Sequence, residues 1–170
     1  MKRLFHYSKA CHLNSICSEG VIRLATAGVI YDRPAAWFST REDYEPTACI
    51  GRFVRGQLKP MSRDEMAAIP PFNPVRIEVK PEFCPFDWEA FKQLSGISPK
   101  LARALEIIAR QQKANPKDWY ASFVPIGVES WLAISYYFKG AWREVSADAE
   151  TINKLAAIPI GDLRSAMTVD

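Results

Sequence analysis

Strand-like patterns gather at the two ends of this chain and helical patterns in its middle, an order that argues against repeated strand–helix–strand units and for an α+β domain. The C-terminal third is the most constrained part. Trp119 to Ile126 reads as a strand, and Trp131 to Phe138, a Lys139-Gly140 turn and Ala141 to Val145 read as a hairpin. At the other end, Arg3 to Ser8, Val21 to Leu24 and Ala35 to Thr40 are strand candidates. Between them Val75, Ile77 and Val79 alternate with Arg76, Glu78 and Lys80, which predicts a strand with one wet face.

Helices are marked by spacing and by caps. Leu13, Ile16 and Cys17 share one face, and Gly20 stands where a left-handed residue ends a helix. A loop from Ala25 to Pro34 holds Gly28 and Asp32. The polar stretch Arg41 to Tyr44 leads into a helix predicted to begin near Pro46. Ser62 with Glu65 fits a capping box, and Pro70-Pro71 stops that short helix. Phe86 to Leu94 is an aromatic helix candidate. Ser98 to Lys113 is the clearest helix, with Leu101, Leu105 and Ile108 on one stripe, and Asp148 to Ala157 is the last.

A chain of 170 residues, 48% of them apolar, suits a single domain over 1–170 with a core that needs no disulfide or metal staple. Cys11, Cys17, Cys49 and Cys84 show no CxxC pairing, as expected of reduced thiols in a cytoplasmic protein. The start, Met1 to His6, develops no signal-like apolar run, and nowhere do about 18 apolar residues run together, so neither export nor a membrane partner is expected. The net charge of +3 is mild and its signs are interspersed, which is not a nucleic-acid signature. One basic stretch, Arg52, Arg55 and Lys59 around Phe53, fits a solvated helix face or a phosphate contact.

Three short segments carry candidate chemistry. Leu4-Phe5-His6-Tyr7-Ser8 puts an imidazole and a hydroxyl on the same face of an early strand. Ala35 to Thr40 carries Trp37, Phe38 and Ser39 and is followed by Tyr44 and by the small pair Thr47-Ala48. Glu129-Ser130 stands directly before Trp131-Leu132-Ala133-Ile134. Taken alone, His6 also fits a packed strand histidine, Trp37 and Phe38 ordinary core, and Glu129 a solvated loop carboxylate.

In their order these segments resemble ADP-ribosyltransferases of the diphtheria-toxin and poly(ADP-ribose) polymerase class. The family has a strand ending in His, usually Gly, then Ser or Thr; an aromatic strand followed by a helix with a small pair; and a Glu heading a later strand. Tyr7 stands where glycine is common, and Trp37 where tyrosine is usual. The resemblance implies two packed, mainly antiparallel sheets with flanking helices and a cleft that binds NAD as co-substrate. It implies that His6, Tyr7, Ser8, Trp37, Phe38, Ser39 and Tyr44 form the nicotinamide and ribose pocket. Glu129 would be the catalytic carboxylate, with Glu78 in reserve, stabilising charge on the ribose as nicotinamide leaves. The implied acceptor is macromolecular, a protein more readily than a nucleic acid, with water a further option. The rival expectation is a non-catalytic interaction protein, such as a phage-type inhibitor on the same fold, marked by an exposed face of Phe86, Trp88, Pro70 and Pro71. His6, Cys11, His12 and Cys17 lack the ligand spacing of a structural zinc site, and no phosphate loop of the GxxxxGK type occurs.

Overall fold

The computed structural model describes residues 2–26 and 33–157; Gly28 and Asp32 of the expected loop lie outside the described residues. The early strand forms as β1 (Leu4–Lys9) and runs straight into α1 (Ala10–Glu19). Gly20 ends that helix at φ 63°, its N–H bonding back to Cys17 and Ile16, a conformation that a Cβ would strain. Only Val21–Ile22 (β2) is extended after it, and the aromatic strand is β3 (Ala36–Ser39).

The segment after β3 departs from expectation. Pro46–Ala48 is one turn of 3₁₀ helix, and the basic stretch that follows is a hairpin of β4 (Gly51–Val54) and β5 (Gln57–Pro60). Arg55 and Gly56 both have positive φ, 50° and 78°, the two-residue turn geometry that matches strand twist. The solvated helix face is therefore a solvated ribbon. Next, α2 (Arg63–Ala67) carries the full capping box of Ser62 and Glu65, and β6 spans Pro74–Val79.

The aromatic helix candidate divides into β7 (Phe86–Asp87) and α3 (Trp88–Leu94), because the Asp87 side chain caps the Ala90 N–H and starts the helix one residue later. α4 (Pro99–Gln111) is capped by Ser98. The long strand expected from Trp119 breaks into β8 (Trp119–Ser122) and β9 (Ile126–Gly127), then β10 (Trp131–Phe138), β11 (Ala141–Ser146) and α5 (Ala149–Ala157) complete the described chain.

Seven strands form one antiparallel sheet in the order β11-β10-β6-β1-β3-β8-β7, with β2-β9 and β4-β5 as separate ribbons. The α+β class with a large antiparallel sheet stands. In place of two separate sheets there is one, joined weakly at its middle. β1 pairs with β6 along its whole length but with β3 at a single pair, Phe5 opposite Ser39. Beyond that pair β1 and β3 lose their register.

One face of the sheet, carrying Leu4, Ile77, Val79 and Ile134, packs with Leu13 and Cys17 of α1 and Ile152 and Leu155 of α5 in the main core. Each fully buried aliphatic side chain there contributes about 1.5–3 kcal/mol. On the opposite face the β3-β8 half packs under α3 and α4 through Trp88, Phe91, Ala102, Ala109 and Trp119. A third cluster, Tyr44, Met61 and Met66 with Tyr7 and Trp142 against it, lies apart from that one.

The expected wet face of β6 is absent: with β1 on one side and β10 on the other, all its residues are buried, Arg76 and Glu78 included. Their charges are satisfied locally. Glu78 accepts from Arg3 Nε at 2.8 Å and Nη2 at 2.5 Å, and Arg76 lies over the rings of Phe5 and Trp142 and donates to the Glu42 carbonyl and Ser135 Oγ.

Candidate functional site

The loss of register between β1 and β3 opens a cleft of about 590 Å³, within the ordinary range for a ligand site. Strand alternation decides what enters it. Phe5, Tyr7, Trp37 and Ser39 belong to the face opposite α1, and they line the cleft. His6 and Phe38 belong to the other face and line it too, beside the point where the strands part, their rings 5.8 Å apart.

His6 Nδ1 lies 3.0 Å from the Trp37 main-chain oxygen. A carbonyl only accepts, so Nδ1 carries the proton and Nε2 is the acceptor of the neutral ring. Burial lowers the His6 pKa below its ordinary value, outweighing the opposing hydrogen bond to Trp37, and so favours that neutral form. The ring is thus a fixed acceptor beside an apolar cleft.

The cleft wall is aromatic. Trp37 stands 4.4 Å from the Phe91 ring and 6.2 Å from Trp88, which meets Trp119 edge-on at 5.2 Å; Trp88 and Trp119 both line the cleft. The indole N–H groups of Trp119 and Trp131 are buried with no acceptor among the described residues. The apolar stripe of α4, Leu101, Leu105 and Ile108, forms the outer lip. That helix docks on the sheet through Ala102 and Ala109, which leaves Leu101 and Ile108 half-exposed above the opening.

Among the described residues the carboxylate of the cleft is Glu45. Its side chain is buried and accepts from Ser39 Oγ at 2.9 Å, from the Thr47 N–H at 3.2 Å and from Thr47 Oγ1 at 2.7 Å. It caps the 3₁₀ turn that replaces the expected helix, and no cation pairs with it among the described residues. A single turn before the hairpin places this side chain in the cleft.

The residues expected to meet do so in part. His6, Tyr7, Trp37, Phe38 and Ser39 come together. Ser8 is off this cleft: its Oγ lies 3.5 Å from His12 Nδ1, and it lines a smaller pocket on the α1 side that His6 lines as well, the two side chains sharing one face of β1. Tyr44 stands behind Tyr7, edge-on at 5.6 Å, with its hydroxyl on Met66 Sδ. The Tyr7 hydroxyl donates to the Arg41 carbonyl, and burial pushes its pKa up to about 12.

Glu129 is not on the cleft lining. It is exposed in the short turn Val128–Ser130, its carboxylate folded over Gly127, where an added Cβ would stand 2.3 Å from Oε2. Glu78 is held by Arg3. The aromatic face expected of a binding module is not open either, because Trp88 is buried and Phe86 is half-buried, although Pro70 and Pro71 are exposed.

Sequence reasoning missed Glu45, Trp88 and Trp119. The run Tyr44-Glu45-Pro46-Thr47 held a signal for the first, an acidic residue directly before a proline in the position of a cap. No described helix is long and apolar enough to cross a membrane. Comparison of the chain with protein-family models, with curated proteins and with solved structures finds no match in any of the three.

Proposed function

We propose that the chain binds NAD with its nicotinamide end in the cleft between β1 and β3 and transfers ADP-ribose to an acceptor, on an ADP-ribosyltransferase-like fold. The observation that carries this reading is the presence of a neutral imidazole and a buried carboxylate on the lining of one aromatic cleft, His6 with Nε2 as its acceptor and Glu45 with its Ser39 and Thr47 donors. A flat cationic ring gains from the faces of Trp37 and Trp88.

The chemistry asked of the chain is modest. The bond from ribose C1′ to the pyridinium nitrogen breaks, nicotinamide leaves neutral with the electron pair, and positive charge develops on the ribose. The acceptor then forms the new bond to C1′ and gives up a proton. Glu45 takes the stabilising role expected of Glu129, as a carboxylate held in place by its Ser39 and Thr47 donors. His6 Nε2 accepts from a ribose hydroxyl and orients the sugar.

Nicotinamide release from labelled NAD tests this directly. Release by the native chain, reduced in His6→Ala and in Glu45→Gln and retained in Glu129→Gln, is the expected pattern. Background-level release from all four proteins, together with no thermal shift at millimolar NAD, would end the proposal, since ligand at a hundred times its Kd adds about 2.7 kcal/mol.

A further inference from the structure

The β4–β5 hairpin grows out of the cleft wall: Thr47 and Ala48 line the cleft, and β4 begins at Gly51. Its root is fixed. Met61 N–H bonds Ile50 O at 2.9 Å, Arg52 pairs with Glu65, and the Cys49 thiol reaches Gln112 Oε1, on the far lip of the cleft, at 3.9 Å. Past the root the ribbon has no core on either side, and of its residues only Val54 is even half-buried. Two-stranded ribbons are marginal in water unless something covers them.

What the ribbon displays is specific. Phe53 and Leu58 are cross-strand partners on one face, 77% and 65% exposed. Arg52 and Lys59 are partners on the other, with Arg55 at the turn. From Pro46 to Ser62 there is no acidic residue, and Arg55 and Lys59 form no ion pair among the described residues. A bare aromatic ring on one face, with Arg55 at the turn and Lys59 on the other face, on an arm free of carboxylates, is complementary to stacked bases on a polyanionic backbone that wraps the ribbon.

We infer that this hairpin binds single-stranded nucleic acid and delivers it to the adjoining cleft, which makes the acceptor a nucleic acid and reverses the sequence-based preference for a protein. The binding step stands on the hairpin alone, whereas the acceptor assignment rests on the NAD reading of the cleft. Phe53 stacks on a base with Leu58 holding the ring, while Arg55 and Lys59 neutralise neighbouring phosphates.

The test is fluorescence anisotropy of a labelled oligodeoxynucleotide and its oligoribonucleotide counterpart, each of about 16 nucleotides, the upper site size of a single-strand groove. Saturable binding that weakens with salt is expected, about ten-fold weaker in Phe53→Ala. The salt slope should flatten by about 0.7 for each cation reversed in Arg55→Glu and Lys59→Glu. The tighter of the two arms names the sugar. Binding absent at low salt, binding indifferent to all three changes, or stronger uptake by phosphatidylserine vesicles overturns the inference.

Adenine-labelled NAD then separates the two readings. Label moving onto the oligonucleotide in the native chain, and lost in Phe53→Ala while nicotinamide release to water persists, is the expected result. Release with no label on the oligonucleotide overturns the acceptor assignment alone. Oligonucleotide binding with no release of nicotinamide overturns the cleft reading, and with it that assignment, but upholds the hairpin.

Discussion

His6 Nδ1 donates to the Trp37 carbonyl at 3.0 Å just past Phe5 and Ser39, the last pair at which β1 and β3 hold register. A side chain there replaces a ladder hydrogen bond, so the strands separate without abandoning a buried carbonyl. The same bond fixes the tautomer in which Nε2 is the acceptor. Splitting the sheet and preparing an acceptor are one event.

Replacing His6 by Ala should act on binding as well as on the fold, where it leaves the Trp37 carbonyl without its donor. One lost hydrogen bond to a bound sugar corresponds to about a ten-fold weaker affinity for NAD, read by thermal-shift titration. An unchanged titration would mean that Nε2 does not touch the ligand.

His6 also predicts a pH dependence. Its pKa is lowered in the folded state from the ordinary 6.5 by burial, so the unfolded chain binds the proton more readily. The sign follows: the contribution to stability is full above pH 6.5 and is lost as pH falls beneath it. His12, lowered in the same direction, adds to the trend. Urea unfolding at a series of pH values should show this slope, and His6→Phe should flatten it; an identical slope in the variant would refute the assignment.

Glu45→Gln is expected to lower the rate of nicotinamide release by about a hundred-fold or more, the usual cost of removing a group that stabilises transition-state charge. Glu129→Gln should leave the rate unchanged, because that side chain is exposed and off the cleft lining. The opposite ranking of the two variants would return the catalytic role to Glu129.

Glu78→Gln should destabilise the fold by about 1–3 kcal/mol. It strips a nearly buried carboxylate of the charge that balances Arg3, and the half-exposed arginine keeps the figure below that of a fully buried pair. A midpoint of denaturation equal to that of the native chain would show the pair to be dispensable.

In the core, Ile77→Ala removes a side chain with no exposed surface from β6, an interior strand, and should cost about 2–5 kcal/mol. Circular dichroism of the variant through a thermal ramp reads this directly.

Local chemistry carried far in this chain. Gly20 ended α1, Ser62 and Glu65 capped α2, Ser98 started α4, and the Lys139-Gly140 turn joined β10 to β11, because each of these depends on a few neighbouring dihedrals and hydrogen bonds. Trp37, Phe38 and Ser39 fell beside His6 and Tyr7 as the segments suggested. What local pattern could not supply was who stands next to whom. The alternation of β6 promised a wet face, but pairing on both sides with a layer above each buried Arg76 and Glu78. Glu129 heads a strand as expected, yet β10 lies beyond β6 from β1, on the side of the sheet away from the gap with β3. The cleft took its carboxylate from Glu45 instead, since a turn between β3 and the hairpin folds back over Ser39. Caps and turns are decided within one stretch of chain, whereas a binding site is decided by which strands lose their register and by what then fills the gap.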